Sequence, residues 1–161
     1  MKNVLLVCHA NTCRSVMAQA LLARMLAARG LDGRIRVTSG GIGPHARDGM
    51  IASLDARIVL REEGIHLAED TIVSTDLKAH RDVLAGADLI LTMTEEQKRL
   101  VRAQAEAAER AVYTLAEFAG DGGDGDIRDP VGQDESRYRA TRDEIKRRLE
   151  ASLERLLRLL A

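Results

Sequence analysis

Short apolar runs alternate along the chain with longer segments in which apolar residues recur at helical spacing. The apolar runs predict four strands, at residues 2–8, 34–38, 88–93 and 111–114. The segments with helical spacing predict five helices, over residues 15–29, 48–63, 77–85, 94–110 and 134–160. Strands that alternate with helices favour an α/β fold, in which helices cover both faces of a parallel sheet. In such folds ligands bind beyond the carboxyl ends of the strands.

The connections between these elements carry turn residues. Gly30 and Gly64 are placed to end the first two predicted helices. Residues 39–44 are expected to form a loop, and residues 65–75 are expected to be irregular. Residues 119–130 contain five glycines or prolines and four aspartates, which predicts a mobile loop before the last helix.

Length and composition narrow the class of protein. A chain of 161 residues has the usual size of one domain, so we expect residues 1–161 to fold as a single unit. The formal net charge of -1 gives no reason to expect nucleic acid or a membrane surface as a partner. The chain has no run of 18 apolar residues and starts directly with a strand, so we expect neither a membrane span nor a signal peptide. Its two cysteines, five residues apart, favour a reduced, cytoplasmic protein.

The first predicted strand leads directly into an eight-residue stretch that precedes the first helix: Cys8, His9, Ala10, Asn11, Thr12, Cys13, Arg14 and Ser15. Loop amides and the free N–H groups of a helix N-terminus together bind anions. A cysteine attacks as its thiolate, which these amides and a nearby arginine favour. Arg14 offers two parallel donors to a phosphate, and Ser15 can donate to the sulfur. We therefore expect a phosphate-binding loop around a cysteine nucleophile; the simpler alternative is a buried, structural cysteine.

These residues resemble the motif of the low-molecular-weight protein tyrosine phosphatases, a family with a protein arginine phosphatase branch. The second family motif, an Asp-Pro pair on a late loop, is matched by Asp129 and Pro130. The resemblance implies a three-layer α/β/α fold with a four-stranded parallel sheet in the flavodoxin-like order 2-1-3-4. It also implies a phosphatase that acts on phosphorylated proteins through a phosphocysteine intermediate, without a metal or another cofactor. We expect the protein to be a monomer.

The resemblance also assigns roles to individual residues. Cys8 would be the nucleophile, and Arg14 would stabilise the phosphate oxygens. Asp129 would protonate the leaving group and then activate the hydrolytic water. Asn11 tolerates the left-handed conformation, and Ser39 resembles the family serine that bonds to the loop. The expected supporting residues are thus Asn11, Ser15 and Ser39.

The sequence favours phosphoarginine over phosphotyrosine as the substrate. A phosphotyrosine ring is usually held by aromatic side chains, but the expected rim segments, 39–50 and 130–133, contain none. Val131 stands where the family commonly has an aromatic residue. Thr12 resembles the arginine phosphatase branch, and with an ionised Asp129 it suits a polar, planar guanidinium. The alternative is that Thr12 only packs within the loop.

Cys13 suggests redox regulation. An oxidised Cys8 could be captured by Cys13 as a disulfide, which would protect it from irreversible oxidation. The alternative is that Cys13 is a small buried packing residue.

Other functions remain as alternatives. A protein tyrosine phosphatase of the same family is the first. An arsenate reductase shares the loop, but its thioredoxin-linked type needs further cysteines, and none follows Cys13. A phosphocarrier would need no leaving-group acid and would have little reason for Arg14. A non-catalytic phosphate-binding module would bind phosphate tightly without hydrolysing any phospho-substrate.

Overall fold

The computed structural model describes residues 1–120 and 125–161. The strands of the described residues are β1 Lys2–Cys8, β2 Ile35–Gly41, β3 Leu89–Thr92 and β4 Val112–Thr114. They form one sheet in the order β2-β1-β3-β4, and all three pairings are parallel. The predicted strand order 2-1-3-4 is therefore confirmed.

Helices cover both faces of this sheet. The described α-helices are α1 Arg14–Ala28, α2 Leu54–Arg61, α3 Arg81–Ala85, α4 Glu95–Arg102, α5 Leu115–Ala119 and α6 Glu135–Leu160. Leu6 of β1 belongs to the core on the side of α1 and α6, whereas its neighbour Leu5 packs with Leu84 of α3 and Val101 of α4. This alternation confirms the three-layer α/β/α fold. None of the described helices combines the length and the apolar character that a membrane crossing requires.

The final helix forms as predicted. The Asp134 side chain accepts a hydrogen bond from the Arg137 amide and so caps the N-terminus of α6. The apolar residues that recur at helical spacing along α6 form a stripe and are all buried, namely Tyr138, Ile145, Leu149, Leu153, Leu156 and Leu160. The stripe anchors α6 against the sheet, because apolar residues at this spacing share one face of a helix.

The predicted loop at residues 39–44 is wrong at its start. Ser39, Gly40 and Gly41 are the last three residues of β2. A Cβ atom at Gly40 would lie 2.5 Å from the Leu77 side chain, and one at Gly41 would lie 2.7 Å from the His9 carbonyl oxygen. Glycine serves here to let neighbouring groups approach a strand, rather than to form a turn.

The predicted helix at residues 48–63 begins six residues late, at Leu54. The Gly49 amide donates to the Ser74 carbonyl (2.8 Å), and the Met50 amide donates to Ser74 Oγ (2.9 Å). Ser53 then caps α2 by accepting from the Ala56 amide. The apolar spacing did not reveal these long-range bonds, which hold residues 49–53 outside the helix.

The ends of the other helices were predicted with mixed success. Gly30 and Gly64 follow α1 and α2 with φ values of 70° and 80°, as expected of helix ends. The predicted helix at 77–85 begins only at Arg81, and the one at 94–110 ends at Arg102 before a 3₁₀-helix at Ala105–Ala107. Helix α5 was not predicted, although Thr114 and Glu117 form a capping box at its start.

The predicted loop at residues 119–130 is described only in part. Its residues 121–124 lie outside the described residues, and residue 119 belongs to α5. Further along, the Ile127 amide donates to the Met93 carbonyl (2.9 Å) just beyond β3. This bond brings the segment before Asp129 to the carboxyl end of the sheet, where β1 also ends.

Candidate active site

Cys8 is the last residue of β1, and its sulfur is surrounded by hydrogen-bond donors. The residue is 3% exposed. The Asn11 amide lies 3.3 Å from Cys8 Sγ, and Ser15 Oγ lies 3.0 Å from it. Because α1 begins at Arg14, the N–H groups of its first turn have no partners within the helix. The surroundings of the sulfur therefore favour negative charge.

Asn11 holds the phosphate-binding loop through bonds whose direction is defined. Its φ of 62° is the one positive value among the described non-glycine residues. The Thr75 amide donates to Asn11 Oδ1 (2.9 Å), so Asn11 Nδ2 faces Ser15 Oγ (2.7 Å) and Ser39 Oγ (2.9 Å). Because Ser15 Oγ accepts this bond, its own proton is free to point to the sulfur of Cys8. The network thus presents a hydroxyl donor to the sulfur.

The network continues from Ser39 to Gln19 on α1. Ser39 Oγ accepts from Asn11 and donates its own proton to Gln19 Oε1. Gln19 Nε2 in turn donates to the Val37 carbonyl of β2 (3.3 Å). A chain of directed bonds therefore connects the backbone of β2 to the sulfur of Cys8.

Arg14 and Asp129 meet at the open side of the loop. Arg14 is only 4% exposed, and its Nη1 donates to the Ile127 carbonyl (2.9 Å). Its Nη2 lies 3.6 Å from Asp129 Oδ2, and the Asp129 side chain is 47% exposed. The Val131 amide donates to Asp129 Oδ1 (3.0 Å). The carboxylate is therefore in reach both of the buried guanidinium and of solvent.

The remaining predicted residues differ in exposure. Thr12 is half-buried, and its carbonyl accepts from the Ser53 amide (2.9 Å), which joins the loop to the start of α2. His9 is exposed and Ala10 is half-buried. Val131, next to the Asp129 loop, is 58% exposed. Thr12 and Val131 therefore belong to the accessible part of the site.

None of the aromatic side chains is exposed. Tyr113 and Phe118 pack against each other, with ring centroids 5.3 Å apart, and the Arg155 guanidinium lies over both rings. Tyr138 is buried, with an exposed fraction of 3%. The chain has two tyrosines, one phenylalanine and no tryptophan, so these are all of its aromatic residues. None of them can hold a substrate ring in the way the sequence analysis considered for phosphotyrosine.

Cys13 is a buried thiol beside Cys8. Burial raises the pKa of Cys13 to about 12, and the nearby Cys8 sulfur adds to the rise. Both cysteines are free. Cys13 is thus protonated at neutral pH, and a disulfide with Cys8 stays a prediction. Its test is recovery of activity after peroxide treatment, which we expect to be slower in Cys13→Ser.

Two parts of the site were not predicted from the sequence. Gln19 lies four residues after Ser15 and therefore on the same side of α1, so its polar side chain in an otherwise apolar stretch was an available signal. Thr75 acts through its backbone amide, which leaves no signal in the identity of the residue.

Comparison with known proteins places this geometry in a family. The sequence model of the low molecular weight phosphotyrosine protein phosphatases matches residues 3–159. The chain belongs to this family. Its members share the cysteine-based phosphatase mechanism, so the chain is a cysteine-dependent phosphatase.

Relatives within the family carry two kinds of name. The protein-arginine-phosphatase of Geobacillus stearothermophilus is 37% identical over 153 residues, which cover 95% of each chain. A probable low molecular weight protein-tyrosine-phosphatase, EpsP of Ralstonia nicotianae, is 31% identical over 155 residues, or 96% of each chain. A solved mutant of the YwlE arginine phosphatase has a phosphorylated active-site serine; it is 31% identical, with a TM-score of 0.84, over 98% of this chain and 99% of that one.

Proposed function

We propose that this phosphatase hydrolyses phosphoarginine in proteins, with Cys8, Arg14 and Asp129 as its catalytic residues. The observation that carries the proposal is the position of the Asp129 carboxylate. It lies 3.6 Å from the phosphate-binding guanidinium of Arg14, yet is 47% exposed at a mouth without aromatic side chains. A carboxyl group in this place can accept a hydrogen bond from a substrate guanidinium and can donate a proton to its nitrogen.

In the first step Cys8 Sγ attacks the phosphorus atom. The S–P bond forms as the P–N bond to the arginine breaks, and the carboxylic acid form of Asp129 delivers its proton to the departing nitrogen. The three remaining phosphate oxygens are stabilised by the loop amides and Arg14. The products of this step are a phosphocysteine and an unphosphorylated arginine side chain of the protein substrate.

In the second step water attacks the phosphocysteine. Asp129, now ionised, accepts a proton from the water as the O–P bond forms and the S–P bond breaks. Phosphate leaves, and the Ser15 hydroxyl, 3.0 Å from Cys8 Sγ, stabilises the thiolate that is released. The phosphorylated active-site serine of the YwlE mutant supports an intermediate at this position of the fold.

Thr12, Asp129 and Val131 are proposed to determine the choice of substrate. The small, polar Thr12 and the exposed carboxylate of Asp129 favour a planar cation over a phenyl ring. Val131 is exposed but offers no ring for stacking. The name of the Geobacillus relative supports the same choice.

The second candidate function is phosphotyrosine hydrolysis, which the name of the Ralstonia relative supports. The two substrates differ in the leaving group, a guanidine or a phenol, while the phosphoryl group is the same. They are therefore distinguished by relative rates and not by the presence of activity.

The decisive experiment compares kcat/KM for a phosphoarginine-containing protein and for a phosphotyrosine peptide. We expect the wild type to prefer phosphoarginine. In Thr12→Ile the ratio of kcat/KM for phosphoarginine to kcat/KM for phosphotyrosine should fall by roughly 10- to 100-fold, because the variant removes a polar group at the leaving-group side. Thr12→Ser retains the hydroxyl and is the matched control. A wild type that prefers phosphotyrosine would overturn the proposal.

We also infer that the protein works as a monomer in the cytoplasm. Two free cysteines are typical of a reducing compartment. Neither step above needs a metal or a cofactor. With a net charge of -1, the chain has no general attraction to nucleic acid or anionic membranes.

A further inference from the structure

Exposed apolar side chains cluster on the two segments that hold the phosphate-binding loop. Met50, Ile51, Leu54 and Val73 are 45%, 46%, 61% and 42% exposed, and we call these four residues the apolar rim. The other large apolar side chains exposed to a similar degree in the described part of the chain are Met1, Val131 and Leu159. An apolar patch of this kind marks an interaction site more often than scattered single residues do.

Backbone pairing keeps the apolar rim together. Ile51 and Val73 form an antiparallel bridge, which places their side chains next to each other. Beside them the Ser74 amide donates to the Met50 carbonyl (2.8 Å), and Ser74 Oγ accepts from the Met50 amide. Leu54 follows at the first residue of α2. Hydrogen bonds therefore hold the backbone that carries the rim, and Ile51 and Val73 form its paired centre.

The two segments that carry the apolar rim also form hydrogen bonds to the phosphate-binding loop. The Ser53 amide donates to the Thr12 carbonyl, and the Thr75 amide donates to Asn11 Oδ1, both at 2.9 Å. The apolar rim thus lies beside the mouth through which a phosphorylated side chain must enter. Any protein whose phosphate reaches Cys8 has to bring its neighbouring residues close to this surface.

We propose that the apolar rim binds apolar side chains that flank the phosphorylated residue of a protein substrate, an inference that rests on the proposed function. A second copy of this chain fits the surface less well. Four partly exposed side chains offer on the order of a few hundred Å², whereas a stable interface buries ~800 Å² on each partner. A second copy would also crowd the mouth that the substrate needs.

The test uses the double variant Ile51→Thr/Val73→Thr, which keeps the β-branched shape and the backbone bridge but removes apolar surface. Three substrates are compared. The first is a set of phosphopeptides in which Leu and Ile flank the phosphorylated residue, the second is the same set with Ser and Gly at those positions, and the third is p-nitrophenyl phosphate. We expect the wild type to bind the apolar-flanked peptides with a KM about tenfold lower, and the double variant to lose this difference. The kcat values and the hydrolysis of p-nitrophenyl phosphate should not change.

Leu159→Gln is the matched control, since Leu159 is 48% exposed on the last turn of α6 and outside the rim. A wild type without a preference for apolar flanks, or a double variant that retains it, would overturn the proposal. So would a wild-type dimer in sedimentation experiments that the double variant abolishes, because the occupant would then be a second copy.

Each peptide is made with phosphoarginine and with phosphotyrosine, so that the two proposals fail separately. Loss of the phosphoarginine preference with an intact effect of the flanks would refute the proposed substrate and leave the apolar rim in place. The reverse result would refute the rim alone.

Discussion

The phosphate-binding loop and the segment around Asp129 meet at Arg14, but they are held in different ways. Cys8, Asn11 and Ser15 are at most 3% exposed, and their polar groups bond to one another. The Asp129 side chain is 47% exposed and contacts the loop at 3.6 Å through Arg14. One side of the site is a buried hydrogen-bond network, and the other side is a solvent-exposed carboxylate.

This difference corresponds to the two parts of the substrate. The phosphoryl group is identical in every substrate of such an enzyme, so a buried and preorganised set of donors can stabilise it without rearrangement. The leaving group differs between substrates, and exposed side chains on a loop can accommodate that difference. We therefore expect substitutions in the loop to affect all substrates and substitutions around Asp129 to depend on the leaving group.

The largest effect is expected for the nucleophile. Cys8→Ser should lower kcat by at least ~10⁴-fold for every substrate, because serine is a much weaker nucleophile without a base to activate it. The kcat values for p-nitrophenyl phosphate and a phosphopeptide measure this directly. Inorganic phosphate should still raise the Tm of the variant. A kcat of Cys8→Ser within about tenfold of the wild-type value would contradict the proposed mechanism.

A smaller and more selective loss is expected for the acid. Asp129→Asn should lower kcat by about 10²- to 10³-fold, since it removes a proton donor while preserving the shape of the side chain. Asp126→Asn is the matched control on the same segment, where Asp126 Oδ1 accepts from the Glu95 amide (2.9 Å). If the loss were equal for substrates with good and poor leaving groups, Asp129 would not act as their acid.

Substitution of Gln19, at the outer end of the buried network, should have a smaller effect on activity. Gln19→Ala leaves the Ser39 hydroxyl without its acceptor, and we expect kcat/KM to fall about fivefold to tenfold, with a loss of ~1 kcal/mol in the free energy of unfolding. Gln19→Glu keeps an acceptor oxygen and should restore most of the activity. Gln104→Ala is the control, because Gln104 makes no side-chain cap at its 3₁₀-helix. Equal activity of Gln19→Ala and the wild type would limit the functional network to Asn11, Ser15 and Ser39.

The smallest effect is expected at the surface pair of His80 and Asp48, whose side chains lie 2.7 Å apart. The bond to Asp48 raises the pKa of His80, and the bonds of Asp48 to the Asp76 amide and to His80 lower the pKa of Asp48. A raised histidine pKa means that its stabilisation is complete below the usual value of 6.5 and is lost as pH rises through the raised value.

The Tm difference between the wild type and His80→Gln should accordingly be positive at pH 6 and vanish at high pH, with no change in kcat. A change in kcat that follows the same titration would show that the phosphate-binding loop depends on exposed charges as well as on its buried network.

Much of the fold could be predicted because its signals are local. The buried run of β1 and the apolar stripe of α6 each predict their own element. Predictions failed where distant groups compete for the backbone. Residues 49–53 have apolar residues at helical spacing but bond to Ser74, and Gly40 resembles a turn residue but lies in a strand against Leu77.

The sequence by itself determined the phosphate-binding loop, because a strand, eight consecutive residues and a helix N-terminus place Cys8 and Arg14 together by short-range geometry alone. Only the tertiary structure decided which groups complete the site. Asn11 is oriented by Ser39 and Thr75, 28 and 64 residues away, and Arg14 binds the Ile127 carbonyl 113 residues away. Such contacts depend on how the sheet and its helices pack, and the identity of a residue does not reveal where its backbone will lie.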